Sequence, residues 1–244
     1  MNDARKNIGT DLKNIGAGLK NKKNIMIKIA IALGVLVTAT LLMKKSGMSY
    51  RQSVLKTMYP AIMWTSKASG RKQIQTNKNN AIPLVSFYSL TTKDINGKDF
   101  NFADLKGKKV LIVNTASDCG FTGQYDALEK LSIQYRYQLV IIGFPANDFK
   151  EQEKSDNANI ESFCKKNYGV TFPLMEKSIV IKKNHQSEVY KWLSDMTING
   201  WCHQEPAWNF CKYLVNEQGV LMQYFPMTVD PLAPEVISAI EAKY

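Results

Sequence analysis

The sequence lacks the cysteine and histidine patterns on which metal sites and disulfide reductases depend. Four cysteines and two histidines occur among 244 residues, and no two cysteines stand in a Cys-x-x-Cys pair. Without that spacing, and without clustered histidines, we expect no metal site and no metal-transfer role. A thiol–disulfide reductase would also be expected to carry a paired cysteine. Any thiol chemistry therefore depends on cysteines that are far apart in the sequence.

Acidic residues are almost absent from the first third of the chain. Residues 1–80 hold 15 Lys or Arg and two acidic residues, whereas residues 81–244 hold 17 basic and 19 acidic residues. The net charge of +11 therefore arises in the N-terminal third, where basic residues flank an apolar run. This distribution suits anionic lipid headgroups and argues against nucleic acid as a partner.

The apolar run, residues 25–43, contains one charged residue, Lys28. As a helix, it would span roughly 28 Å, close to the thickness of a bilayer core, with Lys28 reaching out near one end. No small-residue cleavage site follows, which favours an uncleaved single-pass anchor over a signal peptide. Lysines on both sides leave the orientation weakly defined, and the periplasmic or extracytoplasmic side is slightly preferred for the remainder of the chain.

The flanking segments predict three further regions before the globular part. Residues 1–24 are expected to form a basic flexible tail, and residues 44–81 a juxtamembrane helix and linker. Apolar residues at helical spacing from Tyr50 to Met63 predict an amphipathic helix lying in the membrane interface, kinked near Pro60. The alternative is that this stripe packs on the globular domain. Polar residues 70–80 predict the linker.

Residues 82–244 are predicted to form one globular domain. Asn96-Gly97 predicts a hairpin with a type I′ turn within residues 87–102. Strands are expected at 110–113, 139–144, 179–181, 213–215 and 220–225, and helices at 124–137, 158–167, 188–195 and 234–243. The alternation of strands and helices, with an antiparallel hairpin near the end, predicts an α/β fold of the thioredoxin type with a mixed central sheet.

Cys119 lies in a Ser/Asp/Gly turn at the end of an apolar stretch, residues 109–113. Apolar and aromatic residues follow at helical spacing from Tyr125 to Tyr135, so the turn is predicted to lead from a strand into a helix. Unpaired N–H groups at a helix start stabilise a thiolate, the reactive form, whereas the neighbouring Asp118 would oppose ionisation. Cys119 is therefore a candidate nucleophile; the alternative is a small buried apolar side chain.

Two later stretches carry side chains that could serve such a thiolate. Residues 143–153 follow a predicted strand and include Gln152, and Trp208 and Asn209 precede another strand. Their amide and indole N–H groups could hold the sulfur ionised and stabilise the departing oxygen of a peroxide. Loops at strand ends are common sites for catalytic groups, although composition alone does not bring these two loops together.

Four motifs in order over roughly residues 83–244 resemble the signatures of the glutathione peroxidase family. They are NTASDCGFTGQY at residues 114–125, GFPANDFKEQE at 143–153, YGVTFP at 168–173 and AWNF at 207–210. Cysteine stands where some members of the family have selenocysteine. The resemblance implies a thioredoxin-like fold and a tetrad in which Cys119 is the peroxidatic nucleophile and Gln152, Trp208 and Asn209 hydrogen-bond its sulfur.

The resemblance also assigns a role to Cys164, which matches the resolving cysteine of thioredoxin-dependent, non-selenium members. Its alternative role is that of a buried helix thiol. Only 17 residues, 191–207, separate Tyr190 from Trp208. This is too short for the oligomerisation loop of tetrameric members, so the chain resembles the monomeric, phospholipid-hydroperoxide type with an open site.

The sequence departs from the family pattern at three places, which comprise four residues. Ala146 stands where cysteine is common, Lys154-Ser155 replaces the usual Pro-Gly, and Cys211 stands where threonine is common. The first removes a possible reserve thiol, and the second alters the loop after Gln152. The sequence suggests no role for Cys211 or Cys202.

The expected function is a thiol-dependent peroxidase that reduces hydrogen peroxide and organic or lipid hydroperoxides without a bound cofactor. Cys119 would pass through a sulfenic acid to a disulfide with Cys164, which thioredoxin or glutathione would reduce. The alternatives are a membrane-anchored thiol–disulfide reductase and a peroxide sensor on the same fold.

Overall fold

The computed structural model describes residues 25–42, 48–71 and 73–244. The predicted basic tail, residues 1–24, and the end of the predicted anchor, Met43, lie outside these ranges. The described part of the chain divides into two compact units. The first contains helix α1 (Ile25–Leu42), whose 18 residues have a mean hydropathy of 2.4. This helix is long and apolar enough to cross a membrane, a property that signal sequences share.

The second unit is built on a five-stranded sheet in the order β1-β7-β6-β4-β5. The strands are β1 (Gln75–Thr76), β4 (Lys109–Thr115), β5 (Leu139–Pro145), β6 (Lys212–Val215) and β7 (Leu221–Phe225). Strands β4 and β5 are parallel, and the other neighbouring pairs are antiparallel. The predicted mixed sheet is therefore confirmed. The edge strand β1 lies within the stretch that the sequence predicts as a linker.

The helices of this unit are α2 (Tyr50–Arg71), α3 (Gln124–Gln134), α4 (Asn157–Tyr168), α5 (Glu188–Ser194), α6 (Met196–Asn199) and α7 (Pro234–Glu241). The bounds of α4, α5 and α7 agree with the sequence prediction to within about two residues, and α3 ends earlier than predicted. Helix α2 continues past Met63 to Arg71, into the predicted linker, and α6 was not predicted. The predicted strand at 179–181 is wrong. Ile179 forms only an isolated bridge with Gln186, so the short apolar run does not extend into a ladder.

The predicted hairpin is present, but its turn differs from the prediction. Strands β2 (Thr91–Lys93) and β3 (Asp99–Asn101) pair antiparallel across a five-residue loop. A type I′ turn needs positive φ at both central residues, and here only Gly97 has it (+80°). The Asp94 carboxylate accepts the N–H groups of Asn96 and Lys98, each at 2.9 Å, which stabilises the longer loop instead.

Strand β4 is buried along its whole length and separates two apolar clusters. Because successive side chains point to opposite faces, Leu111 and Val113 join one cluster and Val110 and Ile112 the other. The first cluster contains residues of α3, α4 and α7, and the second contains residues of α5. Helices thus cover both faces of the sheet, and the end of β4 opens into the turn that carries Cys119.

Helix α2 runs without interruption through Pro60 and has two different faces. One face packs on the domain: Ser53 is buried, and the Tyr59 hydroxyl donates to Asp230 at 2.9 Å. The opposite face leaves Tyr50 64% and Val54 40% exposed. Helix α2 therefore packs on the globular domain, as the alternative sequence interpretation predicted. A stripe of apolar residues on its other side still faces outward.

Candidate active site

The turn after β4 holds Cys119 through its own backbone and the Thr122 hydroxyl. That hydroxyl accepts the N–H of Cys119 at 3.2 Å and lies 2.6 Å from its carbonyl oxygen. The N–H of Thr122 also donates to Cys119 O at 3.1 Å. These bonds close a compact turn in which little freedom remains for the cysteine.

Three donors act on the Cys119 sulfur. The N–H of Phe121 donates to Sγ at 3.4 Å, and the side chains of Trp208 and Asn209 are the other two donors. Burial raises the pKa of the thiol, and these donors lower it by less than burial raises it. The donors to this buried thiol come from its own turn, which precedes α3, and from the distant loop of Trp208 and Asn209.

Asn114, at the end of β4, joins that distant loop to the turn. Its Nδ2 donates to Trp208 O at 2.9 Å, and its Oδ1 accepts the N–H of Cys211 at 3.1 Å. Its carbonyl accepts the N–H of Phe210 at 2.6 Å, where Phe210 adopts a left-handed φ of 69°. A non-glycine residue in that region is strained, so these bonds hold the segment that positions the two donors.

Gln152 reaches the site through a strained loop after β5. Lys150 and Glu151 have φ of 51° and 52°, and this double left-handed conformation turns the chain back toward Cys119. The Gln152 carbonyl accepts the N–H of Asp118 at 3.0 Å, and its Oε1 accepts from Asn209 Nδ2 at 3.1 Å. The structure thus brings all four predicted tetrad residues together, with Gln152 contacting Asn209 where the resemblance implied contact with the sulfur.

Trp208 is held from its outer side by the same loop. Its ring centroid lies 5.6 Å from that of Phe149, and the Lys150 Nζ lies 5.7 Å from the centre of the indole. Partly buried between these groups and the core, the indole has a fixed orientation toward the turn. The contacts of Trp208 therefore orient its indole as well as bury it.

Glu153 is a buried carboxyl behind the turn. Its Oε2 accepts the N–H of Ser117 at 2.7 Å and the Ser117 hydroxyl at 2.8 Å. Burial raises its pKa to about 7, the Ser117 hydrogen bonds lower it, and the charge of Asp118 raises it further. Asp118 thus acts on this carboxyl, whereas the sequence suggested an effect on Cys119.

Cys164 lies on the buried side of α4, in the same apolar cluster as Cys119. Burial raises its pKa to about 12, and the neighbouring Tyr125 hydroxyl lowers it by a smaller amount. The Tyr125 ring packs edge-on against Phe210, with ring centroids 5.3 Å apart. Both cysteines are free thiols in the structure.

The other two cysteines belong to the second apolar cluster. Cys211 Sγ accepts the Tyr224 hydroxyl at 3.3 Å, and burial raises the pKa of Cys202 to about 11. In the described ranges, no group of three or more His, Cys, Asp or Glu side chains is arranged to hold a metal ion. Ala146, in place of the family's cysteine, is buried at the end of β5.

Sequence reasoning missed the supporting groups around the tetrad. Asn114 and Glu153 stand inside the quoted motifs, but their roles depend on contacts across 94 and 36 residues. The adjacency of Glu153 to Gln152 was a signal that could have drawn attention to it. The donor at Phe121 is a backbone group, which no residue type could have revealed.

Comparison with known proteins shows one family. Residues 87–194 match the sequence model of the glutathione peroxidase family. The glutathione peroxidase-like peroxiredoxin GPX5 of Chlamydomonas reinhardtii is 45% identical over 159 residues, which are 64% of this chain and 97% of that protein. The glutathione peroxidase-like peroxiredoxin 2 of Saccharomyces cerevisiae is 44% identical, over 60% of this chain and 90% of that protein.

Solved structures with a similar fold include two with different degrees of identity. The apo form of Trgpx is 32% identical, with a TM-score of 0.50 over 65% of this chain and 97% of that one. A DsbF homologue from Corynebacterium diphtheriae is 14% identical, with a TM-score of 0.51 over 70% of this chain and 94% of that one. The second likeness concerns the fold alone, which is thioredoxin-like in this chain.

Proposed function

Because this chain belongs to the glutathione peroxidase family, as a non-selenium thiol-dependent peroxidase, we propose that Cys119 is its peroxidatic nucleophile. The observation that carries this proposal is the convergence of three donors on the Cys119 sulfur, one from Phe121 and two from Trp208 and Asn209. Donors in this arrangement stabilise a sulfur that loses its proton during attack.

In the first step the Cys119 sulfur attacks the terminal oxygen of the hydroperoxide. The S–O bond forms as the O–O bond breaks, and the proton of the thiol ends on the departing oxygen. The products are a sulfenic acid on Cys119 and an alcohol, or water when the substrate is hydrogen peroxide. Asn209 Oδ1 is buried and has no partner among the described residues, so it can accept the O–H of an incoming hydroperoxide.

Cys164 then serves as the resolving thiol. Its sulfur attacks the sulfenic sulfur of Cys119, the S–S bond forms, and water leaves with the hydroxyl group. An external dithiol of the thioredoxin type reduces the disulfide in preference to glutathione, and both cysteines return to the thiol form. The position of Cys164 in the same apolar cluster as Cys119 supports this pairing.

Cysteine-to-serine variants test the two roles separately. Cys119→Ser should abolish peroxide reduction, and Cys164→Ser should still consume one equivalent of peroxide but stop turnover with thioredoxin. Cys202→Ser is the matched control, because that thiol is equally buried but lies in the second cluster. Stopped-flow kinetics and mass spectrometry of the Cys119–Cys164 peptide pair give the readout. Full peroxidase activity in Cys119→Ser would exclude the proposed nucleophile.

The chain is proposed to act as a monomer on hydroperoxides of membrane lipids. Helix α1 is long and apolar enough to serve as an anchor. Seven residues of the sequence, 43–49, separate it from α2, which exposes Tyr50, Val54 and Met58 along one side. An amphipathic helix of this kind binds at the lipid interface. The short segment 191–207 supports the monomer, since it leaves no room for a long oligomerisation loop.

Deletion of α1 tests the lipid substrate. On vesicles containing phospholipid hydroperoxide, the full chain should be about tenfold faster or more than a chain without residues 25–42, because anchoring raises the local concentration. On hydrogen peroxide the two chains should react equally, which serves as the control. Equal rates on the vesicles would contradict the proposed role of the anchor.

A further inference from the structure

Helix α2 lies outside the match to the family model, which begins at residue 87, yet it packs directly on the Cys119 turn. A Cβ added at Gly123 would lie 2.4 Å from the Tyr59 ring, and one at Gly120 would lie 3.4 Å from Ile62 Cδ1. The two glycines thus leave the space that α2 occupies. They stand on either side of Phe121, whose N–H donates to the Cys119 sulfur.

Polar contacts hold α2 to three separate segments around the turn. The Tyr59 hydroxyl donates to Asp230, in the segment before α7, at 2.9 Å. Lys56 Nζ lies 3.7 Å from Asp126 in α3 and donates at 3.2 Å to the carbonyl of Asn167 in α4. The helix therefore bridges α3, which follows the Cys119 turn, α4, which carries Cys164, and the segment before α7.

The position of α2 over the turn conflicts with the need of the Cys119 sulfur to contact a substrate. Cys119 has 0% of its surface exposed, whereas its sulfur has to meet an oxygen of the hydroperoxide. Helix α2 is not packed closely against the domain on one side, where a groove of about 350 Å³ separates Pro60 and Met63 from residues 228–235. A helix that joins the domain through its side chains and is bordered by a groove can separate from the turn more readily than the hydrogen-bonded strands beneath it.

We propose that α2 is a lid over the Cys119 turn, and that Tyr59, packed on Gly123, determines which hydroperoxides reach the sulfur. The proposal rests on Cys119 being the nucleophile. In the closed position the lid favours hydrogen peroxide, which is small, and an organic hydroperoxide with a bulky substituent requires the lid to lift. Tyr59 is a specificity-determining residue because its ring fills the space beside Gly123.

The test measures kcat/KM for cumene hydroperoxide and for hydrogen peroxide on the full chain in mild detergent, and compares their ratio. Tyr59→Ala removes the ring, and Gly123→Ala places a methyl group within its van der Waals radius. If the closed lid outnumbers the open one by about ten to one, either variant should raise the ratio by up to about tenfold. Tyr59→Phe keeps the ring but loses the hydroxyl bond to Asp230, so it should raise the ratio by less than Tyr59→Ala. Arg51→Ala alters an exposed position of the same helix and should preserve the wild-type ratio.

The ratio separates gating from simple damage to the fold. A destabilised enzyme loses activity toward both peroxides in parallel, and an unchanged or lowered ratio in both Tyr59→Ala and Gly123→Ala would overturn the proposal. Gly123→Ala is the more informative of the two, because a helical φ of −58° accepts alanine without backbone strain. Cys119→Ser is assayed alongside: activity in that variant would refute the nucleophile, whereas an unchanged ratio with inactive Cys119→Ser would refute the lid alone.

Discussion

Cys119 and Cys164 are two buried thiols of one apolar cluster that differ in the backbone around them. Burial raises the pKa of both. Around Cys119 the pKa is lowered by a backbone N–H and two side chains, whereas around Cys164 the Tyr125 hydroxyl lowers it and the charges of Glu153 and Glu161 raise it. Cys119 and Cys164 are thus buried to a similar extent, but the groups that surround their sulfur atoms differ.

The difference follows from the local structure of each segment. Inside a helix such as α4, the N–H groups are engaged by carbonyl oxygens one turn earlier, so few remain for a side-chain sulfur. An irregular turn leaves N–H groups uncommitted, and Phe121 directs one of them to Cys119. A thiol that must ionise to attack the peroxide is therefore better placed in a turn. A thiol that reacts later, with the sulfenic acid, can lie in a helix.

Removal of one hydrogen-bond donor to the Cys119 sulfur should have the largest effect on the difference between Cys119 and Cys164. Asn209→Ala deletes a donor to Cys119 and also leaves Gln152 without its partner. Loss of one preorganised donor at a site of developing charge costs about 10²–10³ in rate, and we expect a decrease of about this size in peroxide reduction. Stopped-flow measurement of single-turnover oxidation of Cys119 checks it.

The same variant should leave the chemistry of Cys164 unchanged. Asn199→Ala is the matched control, since Asn199 is also a buried asparagine but bonds to Trp192 and Cys202 in the second cluster. After oxidation is driven to completion with excess peroxide, disulfide formation should proceed at the wild-type rate in Asn209→Ala. An Asn209→Ala enzyme that oxidises as fast as the wild type would remove Asn209 from the site.

The sequence predicted the strands and helices around this site better than the turns and contacts between them. Apolar runs and helical spacing located β4, β5, α3 and α4, because those patterns report burial along a regular element. The turn at Asn96 was mistaken for type I′, because the effect of the Asp94 side chain on a loop is not visible in residue propensities.

The least predictable contacts are those between elements distant in sequence. Neither the bonds of Asn114 to the Trp208–Cys211 segment nor the packing of Tyr59 on Gly123 follows from local pattern. The tetrad itself was obtained by family resemblance and not by periodicity. For Gln152 the family resemblance predicted a hydrogen bond to the Cys119 sulfur, whereas in this structure its side chain bonds to Asn209.

Glu153 connects the two thiol environments, and its replacement should have a smaller effect that depends on pH. Its pKa is about 7, above its ordinary value, so between these values the folded state binds more protons than the unfolded state. The contribution of Glu153 to stability is then fully present below the unfolded pKa and is lost as pH rises through 7. From pH 5 to pH 8 this loss amounts to about 2–3 kcal/mol in the free energy of unfolding.

Glu153→Gln should abolish that dependence, since glutamine still offers an oxygen to the Ser117 N–H and hydroxyl but does not titrate. Urea unfolding of both proteins at pH 5 and pH 8 should show the wild type losing about 2–3 kcal/mol relative to the variant. Glu161→Gln is the control: Lys165 lowers the pKa of Glu161, so that carboxyl is ionised throughout this range and its loss should leave the slope unchanged. Parallel pH profiles for wild type and Glu153→Gln would show that Glu153 is ionised in the folded protein. In that case its negative charge would raise the pKa of Cys164 throughout this range, and the difference between the environments of the two thiols would not vary with pH.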